Sequence, residues 1–377
     1  PRFTDILNKF FMMEDQGALY TQFCKKENKV KHSKKQDRHT DGHNKPYSRK
    51  MNKNLNITEE MLSKPMNSDK YDTVKLPSKG RPYTVSIAVP ASILDDTCLK
   101  EDLRIYLVGQ LAKSAAIFGV DEIIVYNDHC WKKCADNPKA QMNLIELMTT
   151  VLQYQECPQY LRKKLCPMSP YLANAGALNP IAAPHHLKAT QWCKYREGVV
   201  MGKCGKAGSL VDVGLGRQVS VKDKDVAEGS RVTVKLTPAA RVMNSPFGEL
   251  VSPQEPRLEH GVAWGFSVRV ADSLSEVITD CENSSGYDFL IGTSDRGTLV
   301  EDLEEKQFQR ALIVFGGVDG LEQSLSRDKL LTASCPQHLF DAYLNVCPQQ
   351  QTRTIRTEEA VPLTLACLTA KFSAWNK

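Results

Sequence analysis

The chain has 377 residues, of which 41% are hydrophobic and 25% charged, with a formal net charge of +5. That length and balance suit a globular protein with room for two folded domains. The lack of any apolar run of about eighteen residues excludes a membrane-spanning helix, and the first thirty residues lack the apolar core and cleavage site of a secretory leader. The positive charge is unevenly placed. Residues 24–53 hold eleven Lys and Arg against three Asp and Glu, so the rest of the chain is net acidic. A basic tail attracts phosphate backbones without reading sequence, and it equally suits a nuclear-import signal.

Residues 1–80 read as a polar, mostly disordered tail, with one amphipathic stretch at Phe3–Phe11. Order is expected from Arg81. Tyr83, Val85, Ile87 and Val89 alternate with small or polar residues as in a strand, which Pro90 ends. A helix follows over about 98–118, with Leu103, Leu107 and Leu111 on one face and Gly119 closing it. Glu122–Tyr126 forms a second strand, and the crossover between the two should be right-handed. A helix at 141–155 then leads to a basic segment, 157–164.

Between about 198 and 270 the pattern changes to short strands split by Gly and Pro turns. These are Val199–Met201, Leu210–Val213, Val219–Val221, Val232–Leu236 and Phe266–Val270. Five short strands at this spacing predict a small OB-like β-barrel. Lys222, Lys224, Arg231 and Lys235 are its candidate RNA contacts, against the plainer reading of exposed lysines that serve solubility. The barrel, 186–275, is expected as an insertion between two parts of one α/β domain, 81–185 and 276–377.

The last ninety residues carry three strand-then-loop units. Tyr287–Thr298 has a short apolar strand ending at Gly292. Ala311–Phe315 is an apolar strand followed by Gly316 and Gly317. Leu339–Val346 leads through a polar loop holding Arg353 and Arg356 into a helix opened by Thr357, Glu358 and Glu359. Val361, Leu365, Leu368 and Phe372 form that helix's buried face, and Pro362 must lie in or next to its first turn. Such units predict a parallel sheet with a ligand at the carboxyl ends of the strands.

Other chemistries find little support. Val213–Val219 begins like a dinucleotide fingerprint but lacks the third Gly and a following helix. No phosphate-loop motif and no nucleophile elbow occur. The twelve cysteines form no regular framework and read as reduced thiols. His185, His186, Cys193 and Cys204 could form a zinc site only on paper, and no metal is expected.

The pairs FGG…GLE and N-x-C-P…R-T-I-R-T-E-E-A resemble the cofactor site of the SPOUT superfamily of RNA methyltransferases. R-P-Y-T, V-D-E-I, C-P-Q-Y-L-R-K, L-N-P…P-H-H, R-E-G and I-G-T-S-D-R-G extend the likeness to its eukaryotic group with an inserted β domain. The resemblance implies an α/β fold of SPOUT type with a C-terminal trefoil knot, a topology rare among proteins. It implies S-adenosylmethionine as cofactor and N3 of a uridine in large-subunit rRNA as the methylated atom. It further implies a homodimer, residence in the nucleus or nucleolus, and in animals spindle, centrosome or kinetochore partners, where a scaffold role independent of turnover is the rival function. The cofactor-binding candidates are Thr293, Arg296, Gly316, Gly317, Asn345, Cys347, Thr354, Ile355 and Arg356. Arg296 is the candidate that stabilises a developing anion. Asp295, Glu358 or Glu359 are candidate proton acceptors. For each a plainer role stands beside the chemical one: Arg296 as a phosphate contact, and Glu358 and Glu359 as the acidic start of a helix.

Overall fold

The computed structural model describes residues 72–95, 100–203, 208–222, 226–238, 246–281 and 286–376. The expected helix at Phe3–Phe11, most of the tail, Lys224 and Cys204 lie outside these. In chain order the strands and helices are β1 (Asp72–Thr73), β2 (Thr84–Pro90), α1 (Glu101–Phe118), β3 (Glu122–Tyr126), α2 (Pro138–Glu156), the single turn α3 (Arg162–Leu165), β4 (Gln191–Trp192), β5 (Tyr195–Lys203), β6 (Ser209–Asp212), β7 (Gln218–Val221), β8 (Arg231–Leu236), β9 (Phe247–Val251), α4 (Glu255–His260), β10 (Ser267–Ala271), α5 (Leu274–Thr279), β11 (Phe289–Leu299), β12 (Arg310–Val314), α6 (Gly320–Arg327), β13 (Ala342–Asn345) and α7 (Thr357–Trp375).

Six strands form one parallel sheet in the order β10-β3-β2-β12-β11-β13. Its inner strands are covered on both faces, which is why they read as nearly continuous apolar runs: six of the seven residues of β2 are buried. α1 and α7 pack together in the core on one face, where Ile105, Val108, Leu111 and Ala112 meet Val361, Leu365, Leu368 and Phe372. The face expected on α1 needs one correction. Leu103 is 47% exposed, because the buried stripe starts two residues later at Ile105. Gly119 adopts φ 66° and donates its N–H to the Ala115 carbonyl, closing α1 as its sequence predicts. Pro362 sits in the second turn of α7 and offers no N–H to the Glu358 carbonyl.

β5, β6, β7, β9 and β8 close into a barrel in that order, with β7 and β9 parallel and the other pairs antiparallel. Its core is valine-rich: Val200, Val211, Val219, Val221 and Val234. The fifth barrel strand is Phe247–Val251, not the expected Phe266–Val270. Ser267–Ala271 instead pairs in parallel with Glu122–Tyr126 at the edge of the large sheet. The barrel strands therefore end at 251, and the chain re-enters the sheet through α4. Among the described residues no helix is long and apolar enough to cross a membrane.

Candidate active site

In a parallel sheet all strands deliver their following loops to one rim. Here the rim encloses a cavity of about 660 Å³. Its first wall is part of β11. That strand does not stop at Gly292. It continues to Leu299, but its register against β13 breaks between Thr293 and Thr298, so residues 294–297 bulge outward. Gly297 permits the bulge: a Cβ there would come within 2.4 Å of the Leu344 carbonyl carbon. The bulge is pinned by Thr293 Oγ1, which donates to the Val314 carbonyl at 3.1 Å, and by Asn345 Nδ2, which donates to the Asp295 carbonyl at 2.8 Å.

The second wall is the Gly316–Gly317 turn between β12 and α6. Gly316 is required by the protein's own packing, since a Cβ would meet the Leu321 nitrogen at 2.7 Å. A Cβ on Gly317 would lie 3.0 Å from both Ser92 Oγ and Asp128 Oδ2. Both glycines line the cavity, but the space they leave is filled mostly by protein. The third wall is the loop from β13 to α7. Asn345 Oδ1 accepts the Cys347 N–H at 2.9 Å, and Thr357 Oγ1 donates to the Gly316 carbonyl at 2.9 Å, tying the start of α7 to the glycine turn.

Thr293, Arg296, Gly316, Gly317, Asn345, Cys347, Thr354, Ile355 and Arg356 all line this one cavity, together with Asp295 and Glu358. The Arg296 side chain is 76% exposed and lies 3.7 Å from Glu322. Glu359 stands apart. It is absent from the cavity wall, and its carboxylate accepts the Arg356 backbone N–H at 2.9 Å, as part of a capping box at the start of α7.

A further wall was not foreseen. Ser92 and Asp95 after β2, and Cys130 and Lys132 after β3, line the same cavity. Asp95 is 2% exposed, and its Oδ2 accepts the backbone N–H groups of Lys132, Lys133 and Cys134 at 2.7, 2.7 and 3.1 Å. Burial would raise this carboxyl, but donors from Cys134, Lys132 and Lys133 outweigh it and hold it below its ordinary value. The signal was available: once β2 and β3 are placed in a parallel sheet, their loops must reach the same rim as those of the last three strands.

The barrel candidates fare differently. Lys222 is exposed. Arg231 is engaged within the protein: its guanidinium takes Glu156 by two hydrogen bonds of 2.5 and 2.8 Å and Glu197 by one of 2.7 Å. Lys235 pairs with Glu255 and Glu259 of α4. Both face carboxylates in a seam that joins the barrel to α2 and α4. Burial alone would raise the Glu156 carboxyl, yet Arg231 and His185 hold it down at about 2. His185 and His186 both direct Nε2 to the Glu156 carbonyl, at 2.8 and 2.7 Å.

The residues present suit S-adenosylmethionine. Phe315, Leu344, Val346, Ile355 and Leu363 give the cavity apolar walls, and its volume suits a cofactor-sized ligand. Five carboxylates (Asp95, Asp295, Asp319, Glu322, Glu358) line it against four cations (Lys132, Arg296, Arg353, Arg356), a balance suited to a ligand that carries a sulfonium and an ammonium. Thr364 Oγ1 and Asp95 Oδ1, buried in the wall, have no hydrogen-bond partner.

A rim cavity of this kind on a parallel sheet defines a class, and the family comparison agrees with it. Residues 84–368 match the family described as "Putative RNA methyltransferase", and the chain belongs to that family. Its enzymes take their methyl group from S-adenosylmethionine. Three relatives, from fly, human and mouse, bear the name 28S rRNA (uridine-N(3))-methyltransferase. The one from Drosophila melanogaster is 45% identical over 313 residues, covering 79% of this chain and 64% of that protein. The one from Homo sapiens is 42% identical over 299 residues, covering 77% of this chain and 79% of that protein. The chain thus spans a little under two thirds of the fly protein's length.

Proposed function

We propose that this protein transfers a methyl group from S-adenosylmethionine to N3 of a uridine in large-subunit, 28S-type rRNA, using a SPOUT-type knotted domain and an OB-like barrel. The observation that carries the reading is the convergence of the 294–297 bulge, the Gly316–Gly317 turn and the 346–356 loop on one cavity, in a chain of this family. The knot is supported by the path of the C-terminus. The chain leaves β13 at one edge of the sheet, passes the bulge and the glycine turn, and returns as α7 to pack against α1. The barrel's closed order, first-second-third-fifth-fourth with third and fifth parallel, supports the OB-like reading. A homodimer is part of the reading, and exposed Leu103 and Tyr106 on α1 and Leu363 on α7 offer it an apolar face. Nuclear or nucleolar residence is part of it too, supported by the basic segment 24–53.

The bound cofactor supplies an electrophilic methyl group. The protein's share is to hold the target base in line, which is worth several kcal/mol of barrier. Uracil N3 must also lose its proton. In this reading Arg296, which lines the cavity from the bulge, stabilises the resulting anion. Asp295 or Glu358 takes the proton, while Glu359 is occupied at the helix start.

The test is mass spectrometry of rRNA nucleosides from cells lacking the protein, restored with wild type or Arg296→Ala. One 3-methyluridine should disappear and return only with wild type. In vitro the variant should lose about a hundredfold in rate, the scale of removing one charge-stabilising donor, with an unchanged melting temperature because the side chain is exposed. An unaltered nucleoside profile would refute the uridine assignment.

A further inference from the structure

One cluster of nucleophilic side chains takes no part in the cavity chemistry. Cys157 caps the C-terminus of α2, donating its N–H to the Gln153 carbonyl. Cys166 follows α3 nine residues later. The segment between them folds back on itself: Arg162 Nε donates to the Cys157 carbonyl at 3.1 Å, and the Cys166 N–H to the Arg162 carbonyl at 2.9 Å. Both cysteines join a small apolar cluster with Leu161 and, from the barrel, Val199. Cys157 is 3% exposed, whereas Cys166 is only partly buried. Cys157 is a buried member of that cluster and Cys166 packs against it, so both thiols lie in one small group of side chains.

The environments differ in the way a reactive pair requires. Contact with the Cys157 thiol comes first among the influences on Cys166. With Arg162 and Arg231 it outweighs burial and holds Cys166 at about 7. Cys157 is pushed upward by that same contact and by burial. Cys166 is also the more exposed of the two, so it is the thiol that meets a soluble oxidant, with buried Cys157 behind it. An accessible, low-pKa thiol beside a second, protected thiol is the arrangement of an oxidisable pair with a resolving partner. The other cysteines with a resolved shift, Cys130, Cys134, Cys193 and Cys367, are all pushed upward.

We infer that Cys157 and Cys166 form a reversible thiol–disulfide site for hydroperoxides, set in the joint between α2 and the barrel. The Cys166 thiolate attacks one peroxide oxygen. The S–O bond forms, the O–O bond breaks, and the departing hydroxide takes up the proton that Cys166 lost on ionising. The Cys157 sulfur then attacks the Cys166 sulfur. The S–S bond forms, the S–O bond breaks, and water leaves with the Cys157 proton. Two thiols lose two electrons in all, and one hydrogen peroxide becomes two waters. The bridge would pin the end of α2 to the residues behind α3, next to Glu156 and its pair with Arg231.

The experiment treats the reduced full chain with one equivalent of hydrogen peroxide at neutral pH and maps peptides by mass spectrometry without reduction. The 157–166 linkage should form ahead of any other pairing and be reversed by dithiothreitol. On the same wild-type protein, iodoacetamide should modify Cys166 several-fold faster than the other cysteines at pH 7, with a pH midpoint near 7. Cys157→Ser should leave a sulfenic acid at Cys166 that dimedone traps. A different first linkage, a Cys166 that stays reduced, or a Cys166 midpoint near that of an ordinary thiol would each overturn the inference. The wild-type measurements decide it even if the variant fails to fold.

Discussion

Arg231 shows how a residue's chemistry can mislead until its partners are known. In the sequence it is a cation on a β-strand, a natural RNA contact. In the fold Glu156, seventy-five positions earlier, and Glu197 neutralise it. Removing one member of such a buried pair strands the others, so Arg231→Ala should cost about 3–5 kcal/mol in chemical denaturation. RNA affinity per folded molecule should not change. The pH dependence follows from Glu156. Its folded pKa of about 2 lies below the ordinary 4.5, so its contribution is complete above 4.5 and is lost as pH falls towards 2. Wild type should therefore lose stability more steeply than Glu156→Gln across that window, and equal slopes would count against the pair. The glycine turn makes a second point at this scale. At Gly316 a Cβ meets backbone, whereas at Gly317 it meets the ends of two side chains. Gly316→Ala should destabilise by about 1–3 kcal/mol, the usual penalty for overpacking, and Gly317→Ala by less. Thermal unfolding of the two variants would check the order.

Whole elements were easier to read than single contacts, because periodicity reports burial. The apolar face of α7 was legible as Val361, Leu365, Leu368 and Phe372, all of which are buried. Periodicity says nothing about which strand a strand pairs with. Residues 266–270 have the look of a barrel strand, yet β10 completes the sheet edge beside β3. The bulge in β11 was hidden for a similar reason: Gly292 looked like a strand end, while the register break depends on contact with β13. The start of α7 allows a prediction about roles. Glu359 accepts the Arg356 N–H, and glutamine can accept it too. Glu359→Gln should keep both stability and methyl transfer. Glu359→Ala should lose about 1 kcal/mol, the usual worth of a helix cap. A large fall in rate for the Gln variant at unchanged stability would return Glu359 to the chemistry.

The cofactor cavity and the strongest positive charge belong to different stretches of the chain. Among the described residues, those that line the cavity fall between Ser92 and Thr364. Residues 1–58 hold thirteen Lys and Arg against six Asp and Glu, so the remainder has a net charge of −2 where the full chain has +5. The tail's charge is read from composition alone, whereas the cavity's fourth wall was not legible, because it depends on strand order. If the tail binds phosphate backbones, its removal should weaken binding to unmodified 28S rRNA and flatten the dependence of affinity on salt, since each lost phosphate contact takes about 0.7–0.9 from the log–log slope. Residues 59–377 should bind S-adenosylhomocysteine as tightly as the full chain by calorimetry. An unchanged slope would place RNA binding on residues 59–377, on Lys222 and the exposed surface around the cavity, and leave the tail to another purpose such as import. A loss of S-adenosylhomocysteine affinity would mean that the tail reaches the cavity itself, so the two titrations together assign the tail's charge to substrate, to cofactor or to neither.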